Sequence, residues 1–210
     1  MKIAEIFYSL QGEGALVGVP SVFVRTSGCN LRCSWCDTPY TSWDPQGEEM
    51  KLEAILEQVR QHPARHVVVT GGEPMIAPEI VKLTEMLSPW HITIETAGTV
   101  FQSVRCDLMS ISPKLSNSNQ PEKQRLKPDV LKQLMQAYEY QLKFVIANPQ
   151  DVEEVEALLE ATSADRKKVI LMPEGTETAL LRERSRWLAE ICKRQSYRYS
   201  PRLHIDLTIR

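Results

Sequence analysis

The chain has 210 residues, 42% hydrophobic and 25% charged, a globular make-up that excludes an intrinsically disordered polypeptide. Its 25 Lys and Arg against 27 Asp and Glu leave a formal charge of −2, which argues against a non-specific nucleic-acid coat, because such binding rests on a basic surface. No apolar run approaches the ~20 residues of a membrane helix, and Met1-Lys2-Ile3-Ala4-Glu5 does not open a secretory leader. The expectation is one cytoplasmic domain over 1–210, with neither membrane nor nucleic acid as partner.

Six short runs, apolar and rich in β-branched residues, read as strands buried on both faces. They are 21–25, 67–70, 92–96, 108–112, 142–146 and 169–172. Between them apolar residues recur at helical spacing: Leu52, Ile55, Leu56 and Val59, then Ile80, Leu83, Thr84 and Leu87. Val130, Leu131, Leu134 and Met135 follow, then Val152, Val155, Leu158 and Leu159, and finally Leu180, Leu181, Leu188 and Ile191. Alternating strands and helices imply a parallel sheet with right-handed crossovers. Six units are too few for the closed eightfold barrel of ~250 residues, so the α/β fold expected is a partial, open (βα)6 TIM-like barrel, with a flat doubly wound sheet as the alternative. The segment 115–128 reads as one long loop, a surface excursion near the active face.

Five cysteines occur, at 29, 33, 36, 106 and 192. An odd number without a leader does not suggest a disulfide framework. Cys29, Cys33 and Cys36 crowd into eight residues, which points to metal, whereas Cys106 and Cys192 are expected to be structural. A structural zinc needs four ligands and this loop offers three; His62 or His66, beyond the first predicted helix, would have to return. A four-iron cluster is the other solution, with three irons held by thiolates and the fourth open to a small ligand. The spacing favours the cluster and leaves zinc open.

Cys-x3-Cys-x-aromatic-Cys, with Trp35 as the aromatic residue, resembles the signature of the radical S-adenosylmethionine (SAM) superfamily, in which the methionine moiety chelates the open iron. Gly71-Gly72-Glu73-Pro74, after the second predicted strand, resembles the element lying beside the methionine amino group; alone it would read as a turn into a helix. Ser9-Leu10-Gln11-Gly12-Glu13-Gly14, Gly18-Val19-Pro20, Arg25 and Cys36-Asp37-Thr38 then resemble one family in order. Thr70 with the Gly-Gly-Glu-Pro run, Glu95-Thr96-Ala97-Gly98-Thr99 and Ser112-Pro113-Lys114-Leu115 continue it. That family is 7-carboxy-7-deazaguanine synthase, and the similarity spans nearly the whole chain. It implies a lyase of queuosine and 7-deazapurine biosynthesis that converts 6-carboxy-5,6,7,8-tetrahydropterin to 7-carboxy-7-deazaguanine with loss of ammonia. In the implied reaction a reduced [4Fe–4S] cluster cleaves SAM to a 5′-deoxyadenosyl radical, which takes hydrogen from C6 of the pterin and later recovers it. The resemblance also implies Mg2+, a flavodoxin- or ferredoxin-like electron donor, and a homodimer.

Residue by residue, the resemblance places Cys29, Cys33 and Cys36 on the cluster and Thr38 on Mg2+. It assigns Arg25 to the substrate carboxylate, where a guanidinium fork suits a planar anion. Leu10, Gln11, Gly12 and Glu13 would grip the pterin, with Thr70, His204 and Arg210. Trp35, Asp37, Gly72 and Glu95 would meet SAM, as would Ser112, Pro113 and Lys114, and then Met172, Pro173, Glu174 and Gly175. Each has a plainer reading: a turn residue before Pro39 for Thr38, a salt-bridged arginine, a hairpin turn at Gly12, a surface histidine near the end of the chain. Ile205-Asp206-Leu207-Thr208-Ile209 depart from the Lys-Tyr pair common in the family after the histidine. Two rival readings are a radical SAM activase of a partner protein, disfavoured by Asp37-Thr38 where activases carry His-Asn, and a non-catalytic zinc-stapled binding domain.

Overall fold

In the computed structural model, which describes residues 1–209, nine strands form one sheet. They are β1 (Lys2–Leu10), β2 (Pro20–Thr26), β3 (Glu48–Glu49), β4 (His66–Gly71), β5 (His91–Thr96), β6 (Leu108–Ile111), β7 (Tyr140–Ile146), β8 (Val169–Pro173) and β9 (Arg198–Tyr199). Their order is β3-β1-β2-β4-β5-β6-β7-β8-β9. Every neighbour pair from β2 to β9 is parallel, while β1 runs antiparallel to β2 and to β3. The end strands do not pair with each other, so the barrel is partial and open, as expected.

All six predicted strands are present as β2 and β4 to β8; the sequence reading misses β1, β3 and β9. The register of β1 on β2 shifts between Ile3 and Glu5, which spoils the two-residue alternation by which a strand is recognised. The helices are α1 (Pro39–Ser42), α2 (Leu52–Arg60), α3 (Ile80–Met86), α4 (Glu122–Arg125), α5 (Pro128–Ala137), α6 (Asp151–Thr162), α7 (Thr178–Gln195) and α8 (Leu203–Asp206). The five predicted ones are α2, α3, α5, α6 and α7. The connection from β5 to β6 carries no helix.

Alternation along the strands decides what faces where. Val22, Val24, Val67, Val69, Ile92 and Ile94 join the main core under the helices, as do Met109, Ile111, Leu142, Phe144, Val169 and Leu171. Each such side chain contributes ~1.5–3 kcal/mol on burial. The intervening residues point to the other face. There Phe7 stacks on Phe23, with ring centres 4.9 Å apart, and both pack with Val68. Above them the intervening positions turn polar: Thr70, Glu95, Ser110, Gln141 and Lys143. An interior lined this way is built for a polar ligand.

The segment 115–128 runs over the surface beside the cysteine loop, as expected, but it is not a bare loop: Leu115, Ser118 and Arg125 are buried, α4 lies within it, and it straps the cysteine loop from one side. Ser34 N–H donates to Ser118 O (3.1 Å), Gln120 Nε2 to Arg32 O (2.7 Å), and Arg32 N–H to Gln120 Oε1 (3.1 Å). Arg125 anchors the strap, donating to Lys114 O (2.9 Å) and Glu154 Oε1 (2.6 Å).

Candidate active site

At the carboxyl ends of the strands, where barrel folds assemble their sites, lies a cavity of about 400 Å3. The three cysteines enter it from the loop after β2. Cys29, Cys33, Cys36 and Trp35 pack with Leu31 and Ala97 in a small apolar cluster, and all three thiols are free. Trp35 is held by Asn117, whose Oδ1 accepts from the indole N–H at 3.1 Å, and Asn117 Nδ2 in turn donates to buried Asp151 at 2.7 Å. Burial pushes the Cys33 thiol up and Cys29 to about 11, so ligation here must release protons.

The Gly-Gly-Glu-Pro run shows why its glycines are needed. A Cβ on Gly72 would lie 2.1 Å from Gly28 O and 2.7 Å from Thr41 O, so only glycine lets β4 pass beside the cysteine loop. Glu73 N–H donates to Gly28 O at 2.9 Å. Its carboxylate is buried and accepts three bonds: Met75 N–H (3.1 Å) and Thr96 Oγ1 (2.8 Å) on one oxygen, Ala97 N–H (2.8 Å) on the other. Glu73→Gln has one carbonyl oxygen for donors on both sides, so its amide must face an N–H or O–H. A loss of ~1–3 kcal/mol is expected, read as a shift in denaturant midpoint; an unchanged midpoint would contradict this account.

Residues 10–13 close the other side. Gly12 O accepts from Leu203 N–H at 2.9 Å, and a Cβ on Gly12 would meet His204 Nδ1 at 2.2 Å. The start of α8 therefore lies directly on this loop. Glu13 carries both its oxygens to cations: Lys143 Nζ donates to Oε2 at 2.5 Å and Arg202 Nε to Oε1 at 3.2 Å. Burial pushes the Glu13 carboxyl up, but Lys143, Arg202 and His204 outweigh it and hold it far below the usual range. Buried Arg202 also donates to Asp37 and to Gly175 O (2.6 Å). One guanidinium thus joins the cysteine loop, the 10–13 loop and the β8–α7 connection.

Glu95 sits among Gln11, Thr70 and Lys143. Its Oε2 accepts from Thr70 Oγ1 at 2.8 Å, while Oε1 has only long contacts, with Gln11 Nε2 at 3.4 Å and Lys143 Nζ at 3.5 Å. Arg25 gives its Nε to Glu5 Oε1 at 2.8 Å. Thr38 Oγ1 lies 3.9 Å from Cys36 Sγ.

Most of the residues singled out from sequence border this one cavity: Leu10 to Glu13, Arg25, Cys29, Cys33 and Trp35 through Thr38 among them. Thr70, Gly72, Glu95, Ser112, Lys114, Met172 and His204 do as well. Pro113, Pro173, Glu174 and Gly175 do not. Pro113 and Pro173 are buried, Glu174 is paired with Arg184, and Thr176 reaches the cavity in their place. Arg210 lies outside the described residues. Glu13, expected among the residues that grip the pterin, has both oxygens engaged by cations. His66, a conceivable zinc ligand, starts β4 at the opposite end of the strands, its ring centre 4.7 Å from that of His91 and tilted 47° to it. Lys143 and Arg202 escaped the sequence reading, although Gln141 and Lys143, two residues apart on an otherwise apolar strand, are a legible sign of a polar interior face.

The profile of the Radical SAM superfamily matches residues 23–140. The 7-carboxy-7-deazaguanine synthase of Halobacterium salinarum is 42% identical over 99% of this chain and 90% of its own. The chain belongs to the 7-carboxy-7-deazaguanine synthase family. Another relative so named, from Rhodopirellula baltica, is 42% identical over 98% of this chain and 85% of its own. The crystal structure of QueE from Escherichia coli superposes with a TM-score of 0.73 at 28% identity, covering 97% of this chain and 94% of that one.

As a radical SAM protein, a 7-carboxy-7-deazaguanine synthase carries a [4Fe–4S] cluster and SAM. The cysteine loop fits that cluster better than zinc. Tetrahedral zinc with Zn–S bonds near 2.3 Å brings its sulfurs to ~3.8 Å of one another. Among the described residues, Glu13, Asp37 and His204 are the one set of three such side chains with ligand atoms all within 4.8 Å; the cysteines form no such set. Arg202 already bonds both of those carboxylates. No helix among the described residues is long and apolar enough to cross a membrane.

Proposed function

We propose that this chain converts 6-carboxy-5,6,7,8-tetrahydropterin to 7-carboxy-7-deazaguanine with loss of ammonia. The observation that carries the reading is one cavity in which three cluster cysteines face Arg25, Glu95 and the Gln11–Glu13 loop. Cys29, Cys33 and Cys36 hold the cluster, with Gly72, Ser112 and Lys114 beside the SAM moiety. When bound, these two cofactors supply the one-electron chemistry, which no side chain can.

The chain's residues bind, orient and exclude water. Arg25, oriented by Glu5, presents its terminal nitrogens to the substrate carboxylate. Glu95, short of close donors on Oε1, accepts the N–H groups of the aminopyrimidinone edge, a role that suits its neighbours Gln11 and Thr70 better than contact with SAM. Gln11 both donates and accepts. The Phe7–Phe23 stack forms an apolar wall that keeps solvent from the reacting ring. Thr38, at the cavity wall beside Cys36, offers the hard hydroxyl oxygen that Mg2+ prefers, the ion keeping waters and substrate oxygens for its other positions. The family resemblance supports a flavodoxin- or ferredoxin-like electron donor and a homodimer.

The test is an anaerobic assay with reconstituted protein, reductant, SAM and the carboxylated tetrahydropterin. Deazaguanine product with little net SAM consumption is expected. Thr38→Ala should blunt the response to added Mg2+ without changing iron content. Stoichiometric SAM cleavage with no pterin product would favour an activase; zinc with no iron or sulfide would favour a stapled binding domain.

A further inference from the structure

Lys143 is a charged residue in the middle of β7, 5% exposed, at the cavity wall. Burying an ammonium costs several kcal/mol unless partners compensate, so its position requires a reason. Glu13 supplies one partner at 2.5 Å, and Arg202 holds the other Glu13 oxygen at 3.2 Å. The second carboxylate, Glu95, stands off at 3.5 Å, well beyond the 2.7–2.9 Å typical of a charge-assisted bond. An ammonium has three donors, and Glu13 engages one of them closely. Burial alone would pull Lys143 down, but Glu13 and Glu95 hold it above the ordinary lysine range, so it stays charged.

Side by side, Glu95 and Lys143 present acceptor, acceptor and donor to the cavity. A 2-amino-4-oxopyrimidine ring presents the complement in a row: an amino N–H, a ring N–H and a carbonyl oxygen. We propose that Lys143 is a specificity-determining residue that donates to the ring carbonyl of the pterin while Glu95 takes the two N–H groups. The inference rests on the pterin reading above and deepens it. Glu13 is then a positioning residue: it aims the ammonium and does not itself read the ring. A loose 3.5 Å gap between Lys143 and Glu95 is what such a pair needs, since a tight ion pair would spend on itself the donor and acceptor that the ring must find.

The test compares kcat/KM for 6-carboxytetrahydropterin and its 4-thioxo analogue, which keeps both N–H groups and replaces the carbonyl oxygen by a weaker acceptor. The wild type is expected to prefer the oxo compound by ~10- to 100-fold, the worth of a hydrogen bond to a charged group. Lys143→Met should bring the ratio close to one and raise KM for the oxo substrate, with iron content unchanged. Glu13 keeps Arg202 in that variant. Should it nonetheless fail to fold, Lys143→Gln retains a donor for Glu13 on a shorter arm, and the same loss of preference is expected. A wild-type ratio near one, or a variant that keeps the wild-type ratio, overturns the assignment of Lys143. A wild type that cleaves SAM yet turns over neither pterin overturns the pterin reading itself.

Discussion

Cys33→Ala is expected to fold but to carry no four-iron cluster and no activity. Cys33 is 8% exposed and packs against Leu31 and Ala97, a setting that accepts a methyl group; losing the sulfur should cost about 1 kcal/mol, as for a methyl-sized deletion in a core. The chemical loss is total, because the loop then offers two thiolates for a cluster that needs three to leave one iron free for SAM. Iron and sulfide analysis after anaerobic reconstitution checks the first point and product formation the second. Cys106→Ala and Cys192→Ala serve as controls, since both residues pack with the main core and should retain iron. Turnover by Cys33→Ala would remove the cluster assignment.

Glu13→Ala is the second large effect. Two buried cations, Lys143 and Arg202, lose the carboxylate between them, and an uncompensated buried charge typically costs ~3–5 kcal/mol. Part of that returns through Glu95 and Asp37, which remain beside Lys143 and Arg202. Denaturant unfolding of the reconstituted protein measures it. The pH dependence has a definite sign. The folded-state pKa of Glu13 lies below its unfolded value of 4.5, so its stabilisation is fully present above that value and is lost as pH falls toward the folded one. The stability gap between wild type and Glu13→Ala should therefore be flat across neutral pH and narrow only below 4.5. A gap that closes near neutrality would mean the carboxylate is not held by its cations. Activity should fall with stability, because Lys143 loses its anchor and Arg202 its second carboxylate.

Much of the site was legible because its chemistry is local. Cys29, Cys33 and Cys36 lie on one short loop, the Gly71–Pro74 run follows a strand, and Arg25, Thr70 and Glu95 stand at strand ends, where a parallel barrel places its ligands. Resemblance to a family supplied roles that spacing alone leaves open. What escaped has two causes. Asn117 and Gln120 show no periodicity, and their work is to hold groups 82 to 88 residues away: Asn117 the indole of Trp35, Gln120 the backbone of Arg32. The resemblance places Pro173 to Gly175 at SAM, but the backbone there turns so that Glu174 meets Arg184 and Gly175 O meets Arg202.

From sequence one reads the six parallel strands, the five longer helices, the open barrel and the three crowded cysteines, since each depends on periodicity or on spacing within a few residues. The partnerships that tune the cavity depend on closure of the sheet. Glu13 meets Lys143 from 130 residues away and Asp37 meets Arg202 from 165. A charge on a strand or in a tail has no assigned partner until the backbone folds and removes water from around it. Its neighbours then decide whether it is a solvated side chain or a fixed donor aimed at a ligand.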